Sequence, residues 1–156
     1  MGNVIAFEPA QAAQIVGRHA KRNGAMLPIL HELQDVFGHV PRAAVPLIAE
    51  ALNLSRAEVH GVVTFYHDYR DAPAGRHVVK LCQAESCQAM GSRELARHVC
   101  SALGVPMGGT TADGRVTVEA VYCLGLCACS PSAMVDGVVK ARMTTAKADR
   151  LLGALA

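Results

Sequence analysis

The sequence predicts an α+β protein in which a helical region precedes a domain built on a mixed β-sheet. Over the first ~70 residues, apolar side chains recur at helical spacing and no convincing strand pattern appears. Beyond a linker of turn-forming composition, Arg70-Asp-Ala-Pro-Ala-Gly75, short strands and helices follow in the order β-α-β-β-β-α. We therefore expect residues 1–72 and 76–156 to form separate regions.

Four helices are predicted in the first region. They cover Pro9 to Arg22, Met26 to Phe37, Pro41 to Leu52 (where Pro46 shifts the start) and Arg56 to about Tyr69. Ser55 and Glu58 have the spacing of a capping box, which predicts where the fourth helix begins. Phe65 and Tyr66, near the end of that helix, are expected to pack in the core.

The second region carries clear strand and turn signals. Strands are predicted at His77 to Cys82 and at Arg115 to Tyr122, and a hairpin at 133–140, where Asp136-Gly137 supplies the positive φ angles of a type I′ turn. Ser92 can cap one helix of this region, and Thr144 or Thr145 can cap the final helix, which runs to about Leu152.

Composition and charge argue against several classes of function. The net charge is only +2, aromatic residues make up 4% and tryptophan is absent, so nucleic-acid binding is not expected. The opening residues lack a secretory pattern, and the longest uncharged apolar stretch, 120–135, falls short of the ~20 residues that span a bilayer. We expect a soluble, cytoplasmic protein without membrane insertion. Its six cysteines are then reduced, and metal binding is their leading explanation.

Four of the cysteines form two close pairs. Cys82 and Cys87 have the spacing C-x4-C, Cys123 and Cys127 the spacing C-x3-C, and each pair begins where a predicted strand ends. A [2Fe–2S] cluster needs four thiolates, two on each iron. If both strands end at one edge of the sheet, each loop can hold one iron.

The spacing leaves alternatives open. A zinc-stabilised interaction module is one, although zinc ribbons favour the shorter C-x2-C pair. A thiol-active relative of thioredoxin is another, with Cys127 and Cys129 as the close pair to test. Buried cysteines that only pack are a weaker alternative. We expect Cys100 to pack within a helix and Cys129 to be a neighbour of the site but not a ligand.

Three further motifs, together with the cysteine pairs, show a resemblance to a known protein family that covers nearly the whole chain. They are Leu27-Pro-Ile-Leu-His-Glu-Leu-Gln, Phe37-Gly-His-Val-Pro41 and Gly61-Val-Val-Thr-Phe-Tyr66. With the two cysteine pairs and Pro131, they resemble the thioredoxin-like [2Fe–2S] ferredoxin subunits of NADH-linked dehydrogenases. That family includes the small peripheral-arm subunit of respiratory complex I and related subunits of bidirectional hydrogenases. It usually has Ala-Pro where this chain has Ser130-Pro131.

The resemblance implies a thioredoxin-like domain behind a helical docking region that packs on a flavoprotein subunit. It implies that Cys82, Cys87, Cys123 and Cys127 ligate a [2Fe–2S] cluster, and that the flavoprotein binds FMN and NAD. His67-Asp-Tyr-Arg70 and Met134-Val-Asp-Gly137 resemble the gamma subunit of NAD-dependent formate dehydrogenase more than they resemble the complex I subunit. In such an enzyme, a separate iron–sulfur subunit with a molybdenum (or tungsten) cofactor would oxidise formate. No catalytic residue is expected on this chain.

Overall fold

A computed structural model describes residues 6–155 of the 156-residue chain. These residues divide into two compact units, with the division between Pro73 and Ala74. Within the described range, no helix is long and apolar enough to cross a membrane. We call the first part the helical unit and the second the sheet unit.

The helical unit consists of four α-helices packed around one apolar core. They are α1 (Pro9–His19), α2 (Met26–Phe37), α3 (Val45–Leu52) and α4 (Arg56–Phe65), with a 3-10 turn at Arg42–Ala44. Pro46 lies in the first turn of α3, so the helix starts later than Pro41, as predicted. The capping box is confirmed: the Ser55 hydroxyl accepts from the Glu58 amide, and the Glu58 carboxylate accepts from the Ser55 amide at 2.8 Å.

Two predicted helix ends were wrong. Helix α1 ends at His19 rather than Arg22, because no residue from Gly17 to Arg22 is buried and a longer helix would gain no core contact. Helix α4 ends at Phe65 rather than Tyr69. The backbone is extended at Tyr66, and the chain then returns Tyr69 to the core, where it is 9% exposed.

The expected core packing of Phe65 and Tyr66 was also wrong. Phe65 is 73% exposed and Tyr66 is 45% exposed. The face of α4 that meets the core carries Val59, Val62 and Val63, and Phe65 falls outside that face. The two aromatic rings contact each other edge to face, with centroids 5.1 Å apart.

The sheet unit has a four-stranded mixed sheet in the order β2-β1-β3-β4. Strand β1 pairs in parallel with β2 and antiparallel with β3, and β3 pairs antiparallel with β4. The strands are β1 (His77–Cys82), β2 (Val116–Val121), β3 (Ala133–Val135) and β4 (Val138–Lys140). Helices α6 (Ser92–Leu103) and α7 (Thr145–Ala154) pack against the sheet through their apolar faces. The predicted mixed sheet is confirmed.

Local turn chemistry explains the remaining elements. Asp136 (φ 49°) and Gly137 (φ 82°) both have positive φ, as a type I′ hairpin requires. Thr144 caps α7 by accepting from the Lys147 amide. Ser92 was predicted to cap α6, but Gly91 (φ 90°) occupies the cap position and Ser92 is the first helical residue, with its side chain buried.

Candidate metal centre

One edge of the sheet positions both cysteine loops. Cys82 and Val121 are paired as the last residues of the parallel strands β1 and β2. The amide of Gln83 continues this pairing by donating to the Val121 carbonyl at 2.8 Å. Cys123 follows two residues later, so both loops leave the sheet at the same edge, as the sequence predicted.

The first two cysteines, which we call the inner pair, are buried. Cys82 ends β1, and Cys87 lies in a short helix, α5 (Glu85–Ala89), that the sequence analysis did not predict. Each of these cysteines is only 2% exposed. The amide of Cys82 donates to the Ser132 carbonyl at 3.1 Å, which fixes the end of β1 against the segment that leads into β3.

Serine hydroxyls surround the sulfur of Cys87. Its Sγ lies 3.5 Å from Ser132 Oγ and 3.6 Å from Ser130 Oγ. The Ser86 hydroxyl is 2.8 Å from Ser130 Oγ and donates to the Cys127 carbonyl at 3.0 Å. The peptide bond between Ser130 and Pro131 is cis. These contacts join the inner pair to the loop of the second pair.

The second two cysteines, the outer pair, are exposed. Cys123 and Cys127 lie on the loop after β2, and a 3-10 turn at Cys127–Cys129 ends that loop. Their sulfurs are 3.6 Å apart, and the Gly125 amide donates to Cys123 Sγ at 3.4 Å. Cys123 has φ 85°, a strained value for a residue with a Cβ. The loop therefore holds its two sulfurs close together at a cost in backbone energy.

The outer pair fits a metal ion that is held by two thiolates. A tetrahedral ion with metal–sulfur bonds of about 2.3 Å holds two thiolate sulfurs roughly 3.8 Å apart. The 3.6 Å separation in the outer pair is close to that value. Among residues 6–155, the structure has no group of three or more His, Cys, Asp or Glu side chains placed to hold one metal ion.

The other three thiols of the two pairs all affect the pKa of Cys127. A hydrogen bond and the charge of Cys123, with smaller effects from burial, Cys87 and Cys82, raise the pKa of Cys127. Burial raises the pKa of Cys87, but hydrogen bonds with Ser132, Ser130 and Cys82 outweigh it, and the net shift is downward. The Cys87 thiol therefore ionises more readily than an ordinary cysteine, and the thiolate is the form that binds metal.

The other two cysteines have different surroundings. Cys100 packs against the core of the sheet unit, as predicted, and burial raises its pKa. Cys129 is half-buried beside the outer pair. Its amide donates to Leu126 O at 2.9 Å and its carbonyl accepts from the Arg142 amide at 2.7 Å, so its backbone anchors the loop.

Sequence reasoning missed the three serines around Cys87. Ser86 is one residue from a predicted ligand, and Ser130 stands at a departure from the family pattern, so both were visible in the sequence. Ser132 gave no local signal, because its contact with Cys87 spans 45 positions and depends on the pairing of β3 with β1.

The thioredoxin-like [2Fe–2S] ferredoxin family matches residues 12–156 of this chain. Among individual proteins, a subunit of NADH-quinone oxidoreductase from Pseudomonas aeruginosa is 38% identical over 112 residues, which are 72% of this chain and 68% of the relative. A subunit of the same enzyme from Rhizobium meliloti is 34% identical over 135 residues, 86% of this chain and 80% of the relative. The HndA subunit of the NADP-reducing hydrogenase of Solidesulfovibrio fructosivorans is 27% identical over 142 residues, with 91% and 83% coverage.

Solved structures give the same fold. A chain of an NAD+-reducing [NiFe]-hydrogenase in the air-oxidised state superposes with a TM-score of 0.71 at 25% identity. The match covers 83% of this chain and 22% of the hydrogenase chain. This chain thus corresponds to about a fifth of the hydrogenase polypeptide.

Proposed function

The chain belongs to the thioredoxin-like [2Fe–2S] ferredoxin family, and we propose that Cys82, Cys87, Cys123 and Cys127 are the ligands of its cluster. One observation carries the assignment: two cysteine pairs leave the same edge of one sheet, from the ends of parallel strands. Relatives of the chain are subunits of NADH-quinone oxidoreductase and of an NADP-reducing hydrogenase. Its function is electron transfer within an NAD-linked complex.

The cluster supplies one-electron chemistry, and the protein supplies two unlike surroundings for it. The inner pair holds its sulfurs away from water, while the outer pair lies at the surface. An electron from a partner has the shortest route through the outer pair, since the exposed loop allows close approach. Around the inner pair, buried side chains exclude solvent and the serine hydroxyls orient toward Cys87.

The partners in this proposal are those of NAD-dependent formate dehydrogenase, and the chain is a cytoplasmic subunit of that complex. Similarity at His67–Arg70 and at Met134–Gly137 supports this choice. A catalytic subunit with iron–sulfur centres and a molybdenum cofactor would convert formate to carbon dioxide, a proton and two electrons. A flavoprotein subunit with FMN would pass two electrons and a proton to NAD+, giving NADH. Residues 1–72 would dock on the flavoprotein.

Anaerobic reduction of the complete purified complex tests the choice of enzyme. Formate without NAD+ should reduce the cluster and produce its EPR signal, and NAD+ then added in excess over formate should reoxidise the cluster and abolish the signal as NADH forms. The same complex carrying Cys87→Ala should lack the signal. Reduction by NADH but not by formate would contradict a formate dehydrogenase.

Two other complexes remain as the second candidate, because the relatives described above belong to them. These are NADH-quinone oxidoreductase and an NAD-linked hydrogenase. Quinone that oxidises the NADH-reduced complex would identify the first, and reduction of the cluster by hydrogen gas would identify the second.

A further inference from the structure

We propose that Ser132, with Ser130 as a weaker second donor, hydrogen-bonds the Cys87 sulfur and so raises the reduction potential of the cluster. Both are positioning residues that act through Cys87, and neither is a ligand. This inference rests on the proposed function, specifically on Cys87 as a ligand. It assigns a role to two serines that the pattern of cysteines does not cover.

The location of Ser132 is fixed by the sheet. It directly precedes β3, and its carbonyl accepts from the Cys82 amide at 3.1 Å, so its backbone lies beside the end of β1. The residue is 1% exposed. Its hydroxyl lies 3.5 Å from Cys87 Sγ, and no other partner for that hydroxyl is found among residues 6–155.

Proton counting gives the direction of this hydrogen bond. A cysteine that binds iron does so as a thiolate and has no proton to donate. The Ser132 hydroxyl has one proton, and the residue is closed off from bulk solvent, with 1% of its surface exposed. Leaving that donor unpaired in a buried site is unfavourable, so the proton points at the Cys87 sulfur, the acceptor found for it among residues 6–155.

Ser130 has two acceptors for its single proton. Its hydroxyl donates to the Cys127 carbonyl at 2.8 Å and also lies 3.6 Å from Cys87 Sγ. The Ser86 hydroxyl also donates to that carbonyl, at 3.0 Å, so the carbonyl keeps a donor if Ser130 turns away. When Cys87 is a thiolate, the Ser130 proton can therefore turn to the sulfur. Because the bond to Cys127 competes, the effect of Ser130 is smaller.

The effect on potential follows from charge. Reduction adds one electron from the titrant to the cluster, and no proton is needed to balance the step. A hydroxyl that donates to a ligand sulfur draws negative charge away from the iron and stabilises the reduced form. Removing the hydroxyl should therefore shift the midpoint potential to a lower value while iron and sulfide stay bound.

The test is an EPR-monitored potentiometric titration of the intact chain with its cluster. Ser132→Ala should show the largest downward shift and Ser130→Ala a smaller one. Ser132→Thr, which restores a hydroxyl, should return the potential toward wild type. Ser101→Ala makes the same chemical change at an exposed position near the end of α6 and should leave the potential unchanged.

The outcomes separate this inference from the assignment of ligands. A wild-type potential in Ser132→Ala with full iron and sulfide content would overturn the inference. Should Ser132→Ala fail to hold a cluster, Ser130→Ala decides: a lowered potential supports the inference, and an unchanged potential overturns it. A cluster of unaltered composition and spectrum in Cys87→Ala would instead refute the proposed ligand set.

Discussion

The inner and outer cysteine pairs arise from the same edge of the sheet but differ in almost every physical property. Cys82 and Cys87 are 2% exposed, and hydroxyl groups lie against the Cys87 sulfur. Cys123 and Cys127 are exposed, and a backbone amide contacts the Cys123 sulfur. The first pair is thus held by the core of the domain and the second by the conformation of one loop.

This difference indicates how one chain can meet two requirements of an electron carrier. Burial and fixed hydrogen bonds set the stability and the potential of a cluster, whereas exposure allows a partner to approach. A site with four equally exposed cysteines could not provide both the protection and the access. If the two pairs divide these tasks, substitutions around each pair should change different properties of the protein.

The largest effect is expected when a ligand is removed from either pair. Cys87→Ala and Cys127→Ala should each abolish the cluster, because a [2Fe–2S] cluster needs four thiolates, two on each iron. The measurement is iron and acid-labile sulfide per chain, together with the visible spectrum.

Cys129→Ala and Cys100→Ala are the matched controls and should keep the cluster. The first removes the nearest other thiol, and the second a thiol packed in the core. If Cys129→Ala loses the cluster while Cys127→Ala retains it, the fourth ligand is wrongly assigned.

The next effect concerns the core beneath the inner pair. Leu81, which is 1% exposed and precedes Cys82, anchors β1 in the core of the sheet unit. Leu81→Ala should lower the free energy of unfolding by about 2–5 kcal/mol and speed loss of iron on dilution into a chelator. Chemical denaturation and the decay of visible absorbance measure these two quantities.

Leu33→Ala provides the comparison within the helical unit. Leu33 is 0% exposed and belongs to the separate core of that unit. This substitution should lower the free energy of unfolding of the helical unit by a similar amount, about 2–5 kcal/mol. It should leave the rate of iron loss unchanged. Equal acceleration of iron loss by both variants would contradict the assignment of cluster retention to the sheet core.

A smaller effect is expected in the outer loop. Gly125 has φ 76°, and a Cβ there would meet nothing within 4 Å, so Gly125→Ala adds backbone strain of roughly 1–2 kcal/mol without a clash. The strain should turn the amide away from Cys123 Sγ and lower the midpoint potential. Thermal unfolding and potentiometry check both results.

Gly17→Ala is the matched control for that substitution. Gly17 lies within α1, and a Cβ there also meets nothing within 4 Å. Alanine should stabilise this helix by about 0.4–1 kcal/mol and leave the potential unchanged. A destabilisation of equal size in both variants would argue against backbone strain in the outer loop.

The smallest effect is expected for Asp136, which lies at the end of β1 away from Cys82. Asp136 accepts from the Val78 amide at 2.8 Å and lies 2.7 Å from His77 Nδ1. Burial raises the pKa of Asp136, but these two contacts outweigh it and the net shift is downward. Its stabilising contribution is thus complete above the ordinary aspartate pKa of about 3.9 and is lost as pH falls through the lower folded value.

Asp136→Asn should make the free energy of unfolding depend less on pH in the acid range. It should keep the turn, since asparagine also tolerates positive φ. Denaturation measured across the acid range tests the slope. The potential should not change, because the substitution is at the far end of the strand. A changed potential would mean that the two ends of the sheet are coupled.

The sequence predicted the elements that are determined by residues close to one another in the chain. Asp136-Gly137 predicted the hairpin, and the ends of two strand patterns placed both cysteine pairs at one edge. Helix α5 escaped prediction because its five residues are too few to show a helical period.

The surroundings of the inner pair could not be predicted from local pattern. The contacts of Cys87 with Ser130 and Ser132 span 43 and 45 positions, and they exist only because β3 pairs with β1. Likewise, Phe65 lies outside the buried face of its helix, and hydrophobicity alone gave the wrong expectation.

Elemental and acid-labile sulfide analysis of the purified chain, with EPR after reduction, tests the central claim most directly. If the inner and outer pairs each hold one iron, the chain contains about two irons and two sulfides and gives a half-integer-spin EPR signal on one-electron reduction. A colourless chain that contains one zinc ion, no sulfide and no EPR signal would contradict the account.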